Sequence, residues 1–222
     1  MPPTEPDETS KAKVYKELRR SIIMGHRKPG ERLNVEELAQ RHATSVSPVR
    51  DALHMLSQDG LVTIRPRSGY FVTRITLRQL RDLLDLRQVL ELAASERAAL
   101  RITAEQIERL AHVHAGYIGD DDESYDRYTD ENRSFHYLVA AASGNQELAE
   151  AVGRLHDRLA RFMVLRHAGR TMETTHARIV QALRAHDVQA ARQALLDELD
   201  ETREAVLSRV IQDEGHAWQL GA

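Results

Sequence analysis

Three helical stripes in the second half of the chain carry polar side chains where a buried face should be apolar. Tyr128, Asn132, Phe135, His136 and Val139 recur at helical spacing, and Asn132 and His136 are i, i+4 neighbours. Met172, His176, Ile179 and Leu183 form a second stripe; Ala191, Ala194, Leu195 and Glu198 form a third. An amide, two imidazoles and a carboxylate turned into a bundle must find mutual partners, because unpaired burial of such groups costs about 2–7 kcal/mol each. Two solutions satisfy them: an internal hydrogen-bond network, or a metal ion held in common. Arg87 and Glu91, four residues apart, are placed for an ion pair within one helix. The remaining histidines, among them His112, His114, His156 and His167, read as surface or satisfied core residues and carry no expected role.

A second set of residues has the types to meet a polyanion. Ser45, Ser47 and Arg50 stand at the start of an expected helix whose Val49, Ala52, Leu53 and Leu56 recur at i, i+3, i+4 and i+7, leaving Arg50, His54 and Ser57 on the outer face. Hydroxyls and backbone amides at such an end hold phosphates, and a guanidinium reads guanine bidentately, which singles out Arg50 for base contact. Ser47 reads as the N-cap and Pro48 as the first helical residue, where its missing N–H costs nothing. Arg65 and Arg67 flank a tight connection closed by Gly69 and are placed to reach phosphates or the minor groove.

The elements that must position these residues follow from the pattern. Residues 1–10 are Pro-rich and acidic and read as a tail. Lys11 to Met24 is amphipathic, a short helix follows from the N-cap Asn34 to about His42, and the Ser47 helix comes third. Leu61–Arg65 and Tyr70–Arg74 alternate like two short strands, so residues 11–75 read as a winged helix-turn-helix. From Thr76 onward six helical periods are expected, at about 76–101, 104–117, 123–142, 146–166, 171–186 and 188–211. Thr76 with Gln79 and Thr103 with Gln106 form capping boxes, and Gly119, Ser143–Asn145, Gly169 and Asp187 mark junctions. The fold class is mainly α: the winged head, then an antiparallel helical bundle over 76–214, with 215–222 as a loose tail.

The 222 residues carry a net charge of −3, but Lys11–Arg74 holds 13 Lys and Arg against six Asp and Glu, and the chain from Thr76 holds 18 against 25. A basic head on an acidic body is the asymmetry expected when one module alone meets a polyanion. No cysteine is present, which excludes disulfides and thiolate zinc sites. No apolar run approaches the roughly 20 residues that span a bilayer, and the N-terminus is unlike a signal peptide, so the expected location is cytoplasmic with no membrane partner.

Val14–Val72 resembles the GntR family of bacterial regulators through PGERL at 29–33, SVSPVRDAL at 45–53, and the DGLV and PRSGYFV segments. The resemblance implies operator contact by Ser45, Ser47 and Arg50. Many members carry arginine between the two hydroxyl residues, and Val46 here implies a different base preference. From about Leu80 the chain resembles the FCD ligand-binding domain of the FadR branch, and six helices resemble its VanR-type subgroup. The stretches are DLRQVLE at 85–91, NRSFHYLVAAASGN at 132–145, His176 with ARIVQAL, and 187–199. The resemblance implies a divalent metal on Asn132, His136 and His176, with Glu198 where histidine is usual. Such ligands suit zinc first, with manganese, iron or nickel as alternatives. It also implies that Arg87 takes the carboxylate of a small metabolite, beside the plainer ion pair with Glu91.

The expected function is therefore a ligand-responsive regulator, a repressor, that binds a palindromic operator in double-stranded DNA as a homodimer. A metal-dependent enzyme is the first alternative, but HExxH, GxSxG and Gly-rich phosphate loops are lacking, so no enzymatic activity is expected. A sequence-tolerant architectural protein is the second, disfavoured by the acidic body.

Overall fold

The computed structural model describes residues 9–113, 121–165 and 169–212, and only the backbone of 165 and 169–172. The expected tails over 1–8 and 215–222, the junction at Gly119, the end of the 104–117 helix, His114, His167 and the Met172 side chain lie outside that description. The chain divides into two compact units, Met1–Arg74 and Ile75–Ala222.

The first unit runs α1 (Ser10–Ile23), β1 (Arg32–Leu33), α2 (Val35–Arg41), α3 (Val46–Gln58), β2 (Val62–Arg65) and β3 (Gly69–Val72). Ser10 already lies in α1, capped by the Thr9 side chain, so the tail ends earlier than its composition suggests. Asn34 caps α2 by accepting from the Glu36 and Glu37 amides. The sheet is antiparallel in the order β1-β3-β2, with Arg65 opposite Gly69 and Leu33 opposite Tyr70. Val14, Leu18, Val49, Leu53, Leu56 and Val62 close one core beneath these elements. Tyr15 donates to Asp59 Oδ2 at 2.8 Å, tying α1 to the end of α3.

The second unit is a helical bundle of α4 (Leu77–Arg101), α5 (Ala104–His112), α6 (Asp122–Ala142), α7 (Gln146–Leu165), α8 (Gly169–Arg184) and α9 (Val188–Gln212), with no strand among the described residues. Thr76 and Thr103 form both expected capping boxes, each satisfying amides that a helix start leaves open. Gly169 is not a junction but the first residue of α8. α4 is the central element: it packs on α6, α7, α8 and α9.

Candidate functional site

The head presents the residues expected to meet DNA. α3 begins at Val46, with Ser45 as its N-cap, so the helix starts two residues before the expected position. Ser47 and Pro48 are then the second and third helical residues, where the amide proline lacks is still one without a helical partner. Ser45 makes no side-chain cap hydrogen bond. Ser45, Val46, Ser47 and Arg50 are exposed, while Val49, Ala52, Leu53 and Leu56 seat the opposite face on the core. At the wing tip Arg65 and Arg67 are exposed, and the Ser68 amide donates to the Arg65 carbonyl at 3.0 Å. Arg67 (φ 61°) and Gly69 (φ 105°) both take left-handed backbone, which is why glycine suits the second position. The Arg65 guanidinium lies 4.6 Å over the Phe71 ring, which holds its stem against the sheet. His54 on α3 meets Tyr70 of β3 edge-on at 5.9 Å between ring centres, linking helix to wing.

The body buries a polar cluster on five helices. Arg87 and Glu91 come from α4, Asn132 and His136 from α6, His156 from α7, His176 from α8 and Glu198 from α9, and each is at most 3% exposed. Arg87 Nε donates to Glu91 Oε1 at 2.8 Å, and Nη2 donates to Glu198 Oε1 at 3.1 Å and lies 3.2 Å from His136 Nε2. Glu91 Oε2 is 2.6 Å from His136 Nδ1, and Glu91 Oε1 is 2.7 Å from His156 Nε2. His156 Nδ1 lies 3.3 Å from Asn132 Nδ2. The His136 and His156 rings stack at 4.5 Å, and His176 stacks on Phe135 at 3.8 Å. All four residues expected as ligands are thus brought together with Arg87, whose ion pair with Glu91 is formed.

Charge balance follows from these contacts. Burial raises the Glu91 carboxyl, but Arg87, His136 and His156 outweigh it and hold Glu91 well below the usual carboxylate range. Glu198 is likewise held down, burial being overcome by His136 and Arg87. Burial lowers His136, yet Glu91 and Glu198 raise it to about 9, whereas burial leaves His156 at about 4. In the protein alone, Arg87 and protonated His136 therefore neutralise two carboxylates at pH 7.

Among the described residues, Arg87 Nη1, a donor, and Asn132 Oδ1, an acceptor, are buried with no hydrogen-bond partner, and the acceptors Glu91 Oε2 and Glu198 Oε2 are met only by ion-pair contacts with His136, at 2.6 and 3.5 Å. Leaving such atoms unmet costs about 1–3 kcal/mol each, more when charged. Two sets of three side chains each offer ligand atoms within 4.8 Å of one another, His136 with His176 and Glu198, and His136 with Glu91 and His156; the first contains three of the four expected ligands. Glu91 on His136 Nδ1 is also the carboxylate–imidazole pairing that readies the other ring nitrogen for a metal. Nitrogen and oxygen ligand atoms, with the Asn132 oxygen unmet and Glu198 Oε2 held only by His136, fit a divalent ion.

Sequence reasoning missed His156 and the hub role of Glu91. The signal was present: Val152, His156, Leu159 and Met163 are all buried along one stripe of α7, the same kind of pattern that exposed His136. A groove of about 480 Å³ opens between α5 and α8, with Leu110, Val180 and Arg184 among its walls and Phe135 and His176 reaching it from the cluster side.

Comparison with known proteins adds an independent line. Residues 10–72 match the sequence profile described as bacterial regulatory proteins, gntR family, and residues 82–201 match that of the FCD domain. The chain is 31% identical to the HTH-type transcriptional repressor RspR of Escherichia coli K12, over 97% of this chain and 95% of that one. Among solved structures, E. coli McbR/YncC has the same fold at a TM-score of 0.70 and 21% identity, over 92% of this chain and 98% of the other. A GntR transcriptional regulator from Rhodococcus sp. RHA1 superposes equally well, at 0.70 and 23% identity, over 89% and 97%.

Proposed function

Because the chain belongs to the gntR family of bacterial regulatory proteins and carries an FCD domain, a transcriptional regulator and not an enzyme, we propose that it is a cytoplasmic repressor. It binds a palindromic operator as a homodimer and answers to a small carboxylate in the FCD bundle. In the head, Arg50 reads base edges, the Ser45 and Ser47 hydroxyls grip phosphates, Pro48 shapes the helix start, and Arg65 and Arg67 extend the contact through the wing that Gly69 closes.

The effector reading is carried by one observation: among the described residues, the buried cluster pairs a guanidinium nitrogen that makes no hydrogen bond, Arg87 Nη1, with an amide oxygen that makes none, Asn132 Oδ1, beside the carboxylate of Glu198. A cation satisfies Asn132 Oδ1 and Glu198 Oε2, and an anion satisfies Arg87 Nη1. Asn132, His136, His176 and Glu198 would hold the divalent ion, zinc first. The ion would supply an open position for a carboxylate oxygen. Arg87 then keeps its grip on Glu91 and Glu198 while its remaining nitrogen orients the effector. Dimerisation is supported by α4, where Leu86, Val89 and Leu100 are 45%, 66% and 69% exposed along one face of the helix, an apolar stripe suited to a second helix. Effector binding changes DNA affinity only to the extent that it favours one arrangement of the paired heads over another.

The test is retention of sheared genomic DNA by the purified full chain at moderate salt, with zinc, followed by sequencing. Enrichment of one palindrome, weakened by Arg50→Ala by about 1–3 kcal/mol, is the expected result. Uniform retention across sequences would overturn the operator reading, and metal analysis finding no divalent ion after reconstitution would overturn the metal.

A further inference from the structure

Glu91 is shared by two imidazoles, one oxygen on His136 Nδ1 and the other on His156 Nε2. An ionised carboxylate only accepts, so His156 carries its hydrogen on Nε2 and donates it to Glu91. In a neutral ring Nδ1 is then a bare acceptor, and Asn132 Nδ2 donates to it at 3.3 Å. An asparagine side chain has two ends of nearly equal shape, related by a half-turn of the amide, and only the oxygen end ligates a metal. Which end His156 takes therefore decides what Asn132 offers to the interior. His156 takes the nitrogen, and Oδ1 is left buried with no hydrogen-bond partner among the described residues.

We propose that Glu91 and His156 form an orienting relay that turns the Asn132 carbonyl oxygen toward the divalent ion, making His156 a positioning residue for a metal site it does not itself ligate. The proposal rests on the metal reading given above. Through its other oxygen Glu91 sets the ring of His136, so one carboxylate on α4 fixes both α6 ligands. The relay also accounts for the asparagine. An aspartate at residue 132 would present an oxygen in either orientation and would need no such partner, whereas an amide does.

The double-mutant cycle on Asn132 and His156 tests this with Co²⁺ as the probe, its visible absorption reporting both affinity and coordination in the full-length chain. His156→Leu should weaken Co²⁺ binding about 10- to 100-fold, the usual cost of losing an outer-shell partner, and alter the spectrum. His156→Gln, whose amide can accept from Asn132 and donate to Glu91, should recover most of the loss. With Asn132→Asp in place, His156→Leu should change affinity by less than about threefold. Equal losses in both backgrounds, or unaltered binding in His156→Leu, would overturn the relay while leaving the metal reading intact. A wild-type chain that takes up no Co²⁺ overturns both. Should the leucine variant fail to fold, ¹⁵N shifts of the wild-type imidazole decide: a bare Nδ1 on His156 is expected, and a protonated one overturns the proposal.

Discussion

Removing Arg87 should destabilise the fold more than any exposed substitution. Its guanidinium compensates Glu91 and Glu198, both fully buried, and stripping one partner from such a set costs about 3–5 kcal/mol. Arg87→Ala should show this in denaturant unfolding, and a change under about 1 kcal/mol would mean that water or an ion takes over the role. The metal-free chain should also have a pH optimum. His136 titrates at about 9 instead of 6.5, so the folded chain binds more protons than the unfolded one between those values and loses stability as pH rises through them. His156 titrates at about 4, so between 4 and 6.5 the folded chain binds fewer protons and gains stability as pH rises. The thermal midpoint in chelator should therefore peak near pH 6.5, and a midpoint still rising at pH 9 would contradict the assignment. Much of this site was legible because Asn132, His136, His176 and Glu198 interrupt apolar stripes. Their pairing was not, since spacing along one helix says nothing about which side chains meet from five; the α7 stripe marks His156 as buried but leaves it an ordinary core reading.

The two caps of the head separate stability from DNA contact. Asn34 closes two open amides of α2, so Asn34→Ala should lower stability by about 1 kcal/mol. Ser45 occupies the same position on α3 without making that bond, so Ser45→Ala should stay within about 0.5 kcal/mol of wild type in unfolding while weakening operator retention. Equal stability losses in the two variants would show that Ser45 serves as an ordinary cap. Helices were the readable elements: periodicity and capping boxes place the N-cap of α4 and the start of α5 to the residue, with α4 itself beginning one residue after its expected bound. α3 shifted because Ser45 and Ser47 are both acceptable caps and proline fits either the first or the third position. β1 gave no signal at all. Two residues have no period, and Arg32–Leu33 becomes a strand only because β3 supplies partners at Phe71 and Tyr70.

At the scale of the molecule, the α4 stripe makes a direct prediction. Val89→Glu places a charge in the middle of the apolar face and should yield monomers in sedimentation with the bundle still folded; unchanged dimers would move the interface elsewhere. Such monomers should bind the palindrome far more weakly, since the second head gains its effective concentration from the first. The charge asymmetry and the break after the wing made two units legible, and the residues proposed for DNA contact and those proposed for the effector fall in different units. Each unit also closes its own hydrophobic core, the first from Val14 to Val72 and the second within the bundle. The boundary at Arg74–Ile75 is therefore a seam at which genes can be cut and rejoined without opening either core. Heads with other base preferences could be grafted onto this body, and bodies tuned to other metabolites onto this head, so a new pairing of signal and target can arise in a single recombination event.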